Sequence, residues 1–95
     1  MNRYGAQAMT HWSETMPLRL SDLQDPEAFF TQLGEEVSQA IEELTRRLAG
    51  QQPEQETYLQ RLQRLNTARQ EAESQVIREM VLVGDTHPQM AANQE

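Results

Sequence analysis

His11 and Glu14 lie three residues apart, the spacing at which two side chains share one face of a helix and could hold a metal ion between them. Two ligands do not close a site. The only other histidine, His87, stands beside Pro88 in a stretch without an apolar anchor, so both groups are expected to be surface polar residues, with no metal bound. Carboxylates pair at Glu35-Glu36, at Glu42-Glu43 and at Glu71 with Glu73, and acid–base catalysis would need one of such a pair desolvated in a cleft. Here they occupy polar positions of helical patterns, which predicts a solvated face. A di-metal carboxylate bundle needs Glu-x-x-His on facing helices, and the sequence has no such motif. With no cysteine there is no thiolate nucleophile, no zinc–thiolate site and no disulfide. No nucleophile–base pair and no cofactor motif is visible, so the expectation is a protein that is not an enzyme.

Fifteen acidic residues against eight basic ones give a net charge of −7, which repels phosphate and argues against direct nucleic-acid binding over a broad surface. All eight basic residues are Arg, a bias of the kind a GC-rich genome produces. The longest strongly apolar run, Met80 to Val83, is far short of the roughly 20 residues that span a bilayer, and the first residues carry no apolar stretch of signal-peptide length. A cytoplasmic protein without a membrane segment is expected.

The elements that position these residues are helical. Phe29, Leu33, Val37, Ile41, Leu44 and Leu48 recur at steps of three or four. Across the break Ala49-Gly50-Gln51-Gln52-Pro53, a second stripe follows: Tyr58, Leu62, Leu65, Ala72, Val76, Met80 and Val83. The predicted fold class is all-α: an antiparallel helical hairpin of two long helices with a short N-terminal helix packed on it. Asp25 as N-cap, Pro26 at the first helical position and Glu27 against the helix dipole fix one start. Arg46, Arg47 and Gly50 fix the stop. The helices are expected at about 3–16, 26–49 and 54–83 in one domain spanning 1–84, with 17–25 a packed connector and 85–95 a flexible tail.

A chain of this length has a thin core, and burial against a partner would strengthen it. The densest large apolar group is Trp12 with Met9, Met16, Phe29 and Phe30. Adjacent helix positions point about 100° apart, so Phe29 and Phe30 cannot both lie at the centre of one seam. One of them is expected to meet the N-terminal helix or a second protein. Val76 and Met80 overhang the preceding helix and offer a further contact face. Asn66, Arg69 and Glu73 interrupt the second stripe; Arg69 could set register or partner choice there, or could flank the stripe and face water. Arg61, Arg64 and Arg69 could also form a small cationic strip for an acidic partner. Trp12, Phe29, Phe30, Arg69, Val76 and Met80 are the candidate partner-binding residues.

The segments Arg3-Tyr4-Gly5-Ala6-Gln7-Ala8-Met9 with Trp12, Asp25-Pro26-Glu27-Ala28-Phe29-Phe30, Leu33-Gly34-Glu35-Glu36-Val37 and Leu65-Asn66-Thr67-Ala68-Arg69 resemble short helical proteins encoded by actinobacterial phages and other mobile elements. The resemblance covers most of residues 3–80 and implies an accessory, assembly or inhibitory role. The expected function is a non-enzymatic protein–protein interaction or assembly module that self-associates or docks on a larger protein. The alternative is an acidic decoy that blocks a nucleic-acid-binding protein, with Glu35, Glu36, Glu42 and Glu43 standing where phosphates would sit. The two differ in what charge reversal at those four residues should do.

Overall fold

The computed structural model describes residues 1–82, all helix and loop with no strand among them. Helix α1 (Arg3–Thr15) starts at Asn2, whose side-chain oxygen accepts from the Gly5 amide at 3.0 Å. It stops because Pro17 pushes Met16 out of the helical region, to φ −142°. Pro17 then opens a second helix, α2 (Pro17–Ser21), where Pro suits the first position. The expected connector over 17–25 is therefore helical in its first five residues.

Helix α3 (Pro26–Ala49) begins under the Asp25 carboxylate, which accepts from the Ala28 amide at 3.1 Å. It ends at Gly50, whose φ of 66° and ψ of −156° lie where a side chain is strained. Helix α4 (Tyr58–Val76) starts four residues later than the expected position 54. The reason is a capping box: the Gln60 amide donates to Thr57 Oγ1 at 3.1 Å, and the Thr57 amide donates back to Gln60 Oε1 at 3.0 Å. Beyond Val76 the helix does not run on as α to 83. It widens into a π turn (Ile77–Val81), closed by the Leu82 amide donating to the Ile77 carbonyl at 2.9 Å. The extra residue per turn puts both Val76 and Val81, five apart, into the core. Val83, the Gly84-Asp85 stop and the expected tail 85–95 lie outside the described residues.

α3 and α4 pack against each other, and α1 lies on α3 and on the π turn. The core gathers Tyr4, Ala8 and Trp12 from α1, Phe30, Val37 and Ile41 from α3, Ala72 and Val76 from α4, and Val81. Phe30, Val37, Ile41 and Val81 are fully buried, each contributing about 1.5–3 kcal/mol. α1 and α3 touch backbone to backbone where Gly5 faces Gly34. A Cβ on Gly5 would run into the Phe30 carbonyl, and one on Gly34 into the Asn2 side chain and, at 2.9 Å, the Gly5 nitrogen. Asn2 Nδ2 seals the crossing by donating to the Gly34 carbonyl at 3.0 Å.

Two stripes shift relative to the sequence expectation. On α3 the buried line is Phe30, Gly34, Val37 and Ile41, while Phe29 and Leu48 are exposed. On α4 it is Ala68, Ala72 and Val76, while Tyr58 and Leu62 face outward. Small side chains let two helices approach, so Ala68 belongs to the seam although its size gives it little weight in a stripe of large apolar residues.

Candidate interaction surface

Trp12, Phe29 and Phe30 form one cluster. The Trp12 ring lies 5.3 Å from each phenylalanine ring, edge-on to Phe30, and the two phenylalanines meet at 4.9 Å. The Arg19 guanidinium stacks over Trp12 at 5.5 Å. Trp12 and Phe30 are buried, so this group is the internal joint between α1 and α3 rather than an open face. Phe29 is its outer member at 39% exposure and borders a shallow concavity of about 360 Å³ with Ala28, Gln32, Leu33 and Glu36.

Of the remaining candidates, Val76 is buried and Met80 half-buried beside the core, so the expected overhanging face is already covered from within the chain. Arg69 is exposed on α4, as is Asn66. The polar residue that ties the helices together is Glu73. Its Oε2 accepts from Tyr4 Oη and from Arg3 Nη2, both at 2.7 Å, joining residues about 70 positions apart. Arg3 also donates to Tyr4 Oη at 2.9 Å, and its pKa is raised first by that bond and by the charges of Tyr4 and Glu73.

Arg64 does not belong to an open cationic strip. Its Nε and Nη2 donate to the Glu56 carboxylate at 2.7 and 3.1 Å, and its Nη1 donates to the Ala49 carbonyl at 2.6 Å. One guanidinium thus fastens the end of α3, the loop and the first turns of α4. The hydrogen bond from Arg64 holds the Glu56 carboxyl below the usual glutamate range, against the desolvation that opposes it. The same bond raises the Arg64 pKa. Residues eight apart across a loop–helix junction carry no periodic signal, which is why the clamp is invisible in sequence.

Three of the seven exposed large apolar side chains among the described residues sit together on α4, elsewhere than expected, while Met1, Leu18, Phe29 and Leu48 are scattered over the rest of the surface. Tyr58 is 75% exposed, Leu59 68% and Leu62 38%, and their spacing places them on adjoining turns of one face of α4. Arg69 continues that face seven residues after Leu62. From Thr57 to Gln70 the chain carries three arginines and no carboxylate, a signal legible in the sequence of a strongly acidic protein.

His11 is buried in α1 rather than on the surface, while Glu14 is exposed, and His87 lies outside the described residues. No group of three or more His, Cys, Asp or Glu able to hold a metal exists among the described residues. Glu35, Glu36, Glu42 and Glu43 are all exposed. Among the described residues no helix is long and apolar enough to cross a membrane. Comparison with known proteins finds no matching family model, no matching characterised protein and no matching solved structure.

Proposed function

We propose that this chain is a non-enzymatic helical interaction module that docks through the outward face of α4. Tyr58, Leu59, Leu62 and Arg69 are the contact residues. The observation that carries the proposal is the exposure of three large apolar side chains on the first turns of a helix whose start is fixed by a capping box and by Arg64. A face held this rigidly binds with little ordering cost. The scaffold is an antiparallel hairpin of α3 and α4, a reading supported by the Arg64 bond to Ala49, which brings the end of one helix to the start of the other. The resemblance to phage and mobile-element proteins makes an accessory or assembly role within such an element the natural setting. Neither membrane nor nucleic acid is a partner in this reading.

The test is a Leu59→Asp/Leu62→Asp variant. Both positions are exposed, so far-UV circular dichroism and thermal melting should match the parent chain. Association, with itself or with a partner recovered from its native extract, should be lost. Association that persists in a folded variant would rule out this face.

A further inference from the structure

The α4 face is apolar and carries one exposed cation, Arg69, and the same chain presents its complement. On α3, Phe29 and Leu33 open a concavity bordered by Glu36, and Gln32 Nε2 steadies that carboxylate by donating to its Oε2 at 3.1 Å. Residues 14–36 carry six carboxylates and one arginine, whereas residues 37–69 carry four carboxylates and five arginines. The arginines early in α4 oppose the helix dipole, which favours carboxylates in a first turn, and α3 does carry one there, Glu27. Helix stability therefore does not account for the acid-free start of α4.

Resting on the docking role proposed for α4, we infer that the partner of this face is the Phe29–Leu33–Glu36 face of a second copy of the chain, joined head to tail. The two faces cannot meet within one molecule. α3 is unbroken from Pro26 to Ala49, the start of α4 is fastened to Ala49, and the helical rise from Phe29 to Ala49 spans about 30 Å. Tyr58, Leu59 and Leu62 of one copy cover the apolar concavity of the next, and Arg69 of the first meets Glu36 of the second. Such a contact is heterologous: each copy keeps one free face of each kind, so addition continues into an open chain unless the rotation closes a ring.

The test uses the full-length chain in sedimentation velocity with two exposed double variants, each first shown to keep parental helicity. Leu59→Asp/Arg69→Glu removes the α4 face; Gln32→Arg/Glu36→Arg removes the α3 face. The parent should form species that grow with concentration and revert to monomer as added salt screens the arginine–carboxylate contacts. Each variant alone should remain monomeric. Their equimolar mixture should give a 1:1 heterodimer and nothing larger, because one intact face of each kind remains. A parent that stays monomeric at its highest attainable concentration overturns the inference. So does a mixture that stays monomeric, which points to like faces pairing, and so does a variant that assembles as the parent does. If the parent is monomeric yet captures a partner that Leu59→Asp/Leu62→Asp loses, the docking face stands and only the second copy as its occupant fails.

Discussion

Replacing Gly5 by Ala tests whether α1 and α3 meet at backbone distance. In an ordinary helix the change stabilises by at most about 0.5–1 kcal/mol, because alanine loses less conformational freedom on folding. Here the added Cβ would overlap the Phe30 carbonyl oxygen and lie 3.1 Å from its carbon, and 2.8 Å from Met1 Cγ. The Met1 side chain is half exposed and can turn away, but Phe30 sits inside α3, so one helix must move off the other. Overpacking of this kind costs about 1–3 kcal/mol and at the centre of that range outweighs the propensity gain by about 1 kcal/mol. At about 4–8 °C per kcal/mol for a domain of this size, the melting temperature should fall by about 4–8 °C. Trp12 is the only tryptophan and its ring lies between α1 and the two phenylalanines, so its emission should shift to the red as α1 loosens. Gly50→Ala provides the contrast: no atom lies within 4 Å, and strain at φ 66° should lower stability by about 1–2 kcal/mol without moving the Trp12 emission. A Gly5→Ala protein that melts at or above the parent temperature would refute the close crossing.

Ile41→Ala, at a fully buried site, should cost about 2–5 kcal/mol in urea denaturation. Leu62→Asp, on the exposed face of α4, should stay within about 0.5 kcal/mol, the opposite of what a seam position would give. Glu56 titrates below its ordinary range in the fold, so its bond to Arg64 stabilises fully above the unfolded value of about 4.3 and is lost as pH falls through the lower folded value. Glu56→Gln should therefore be less stable than the parent at neutral pH, with the gap narrowing in denaturation series as pH falls below about 4.3. Tyr4→Phe should cost about 1 kcal/mol by removing a donor from Glu73, and the effect should shrink when Glu73 is already Gln, as a double-mutant cycle will read.

Local signals in the sequence are legible at α3, where one residue type does one local job, but not at α4, where Pro53 and Glu54 suggest a start that the Thr57–Gln60 capping box overrides. Asp25 and Pro26 start α3 and Gly50 ends it because capping depends on neighbours in the chain. The helical class follows from spacing alone. Features that depend on distant pairs were not legible: Gly5 with Gly34, Tyr4 and Arg3 with Glu73, and Arg64 with Glu56 and Ala49. Nothing in Gly5 distinguishes a weak helix former from a crossing point until α3 is placed against it. The stripes drifted for a related reason. Counting large apolar residues favours Phe29, Tyr58 and Leu62, whereas helix packing selects Phe30 on one side and Ala68 and Ala72 on the other. Of the candidate site, Trp12, Phe30 and Val76 are interior, Phe29 and Arg69 are exposed, and the apolar surface of α4 lies where the stripe of large side chains predicts a seam.

The placement of the core decides which surfaces are free to carry contacts. All the buried aromatic residues lie in α1 and the first turns of α3, where α1 and the π turn close over α3. The other half, from Ser38 to Ala49 on α3 and the first turns of α4, gives the buried cluster only Ile41, with Ala40 and Leu44 packed against it, and it holds its form through the Thr57–Gln60 box and the Arg64 clamp. Polar clamps fix geometry without covering apolar surface. A face anchored in that way can change its contact residues with little effect on the core at the far end. Stability and association should accordingly separate: substitutions at Leu59 and Arg69 should alter association at constant melting temperature, and substitutions at Ile41 or Val81 should lower the melting temperature before they alter the contact. A set of variants in which the two properties fall together would mean that the α4 face takes part in folding, and the division between the two halves of the molecule would not hold.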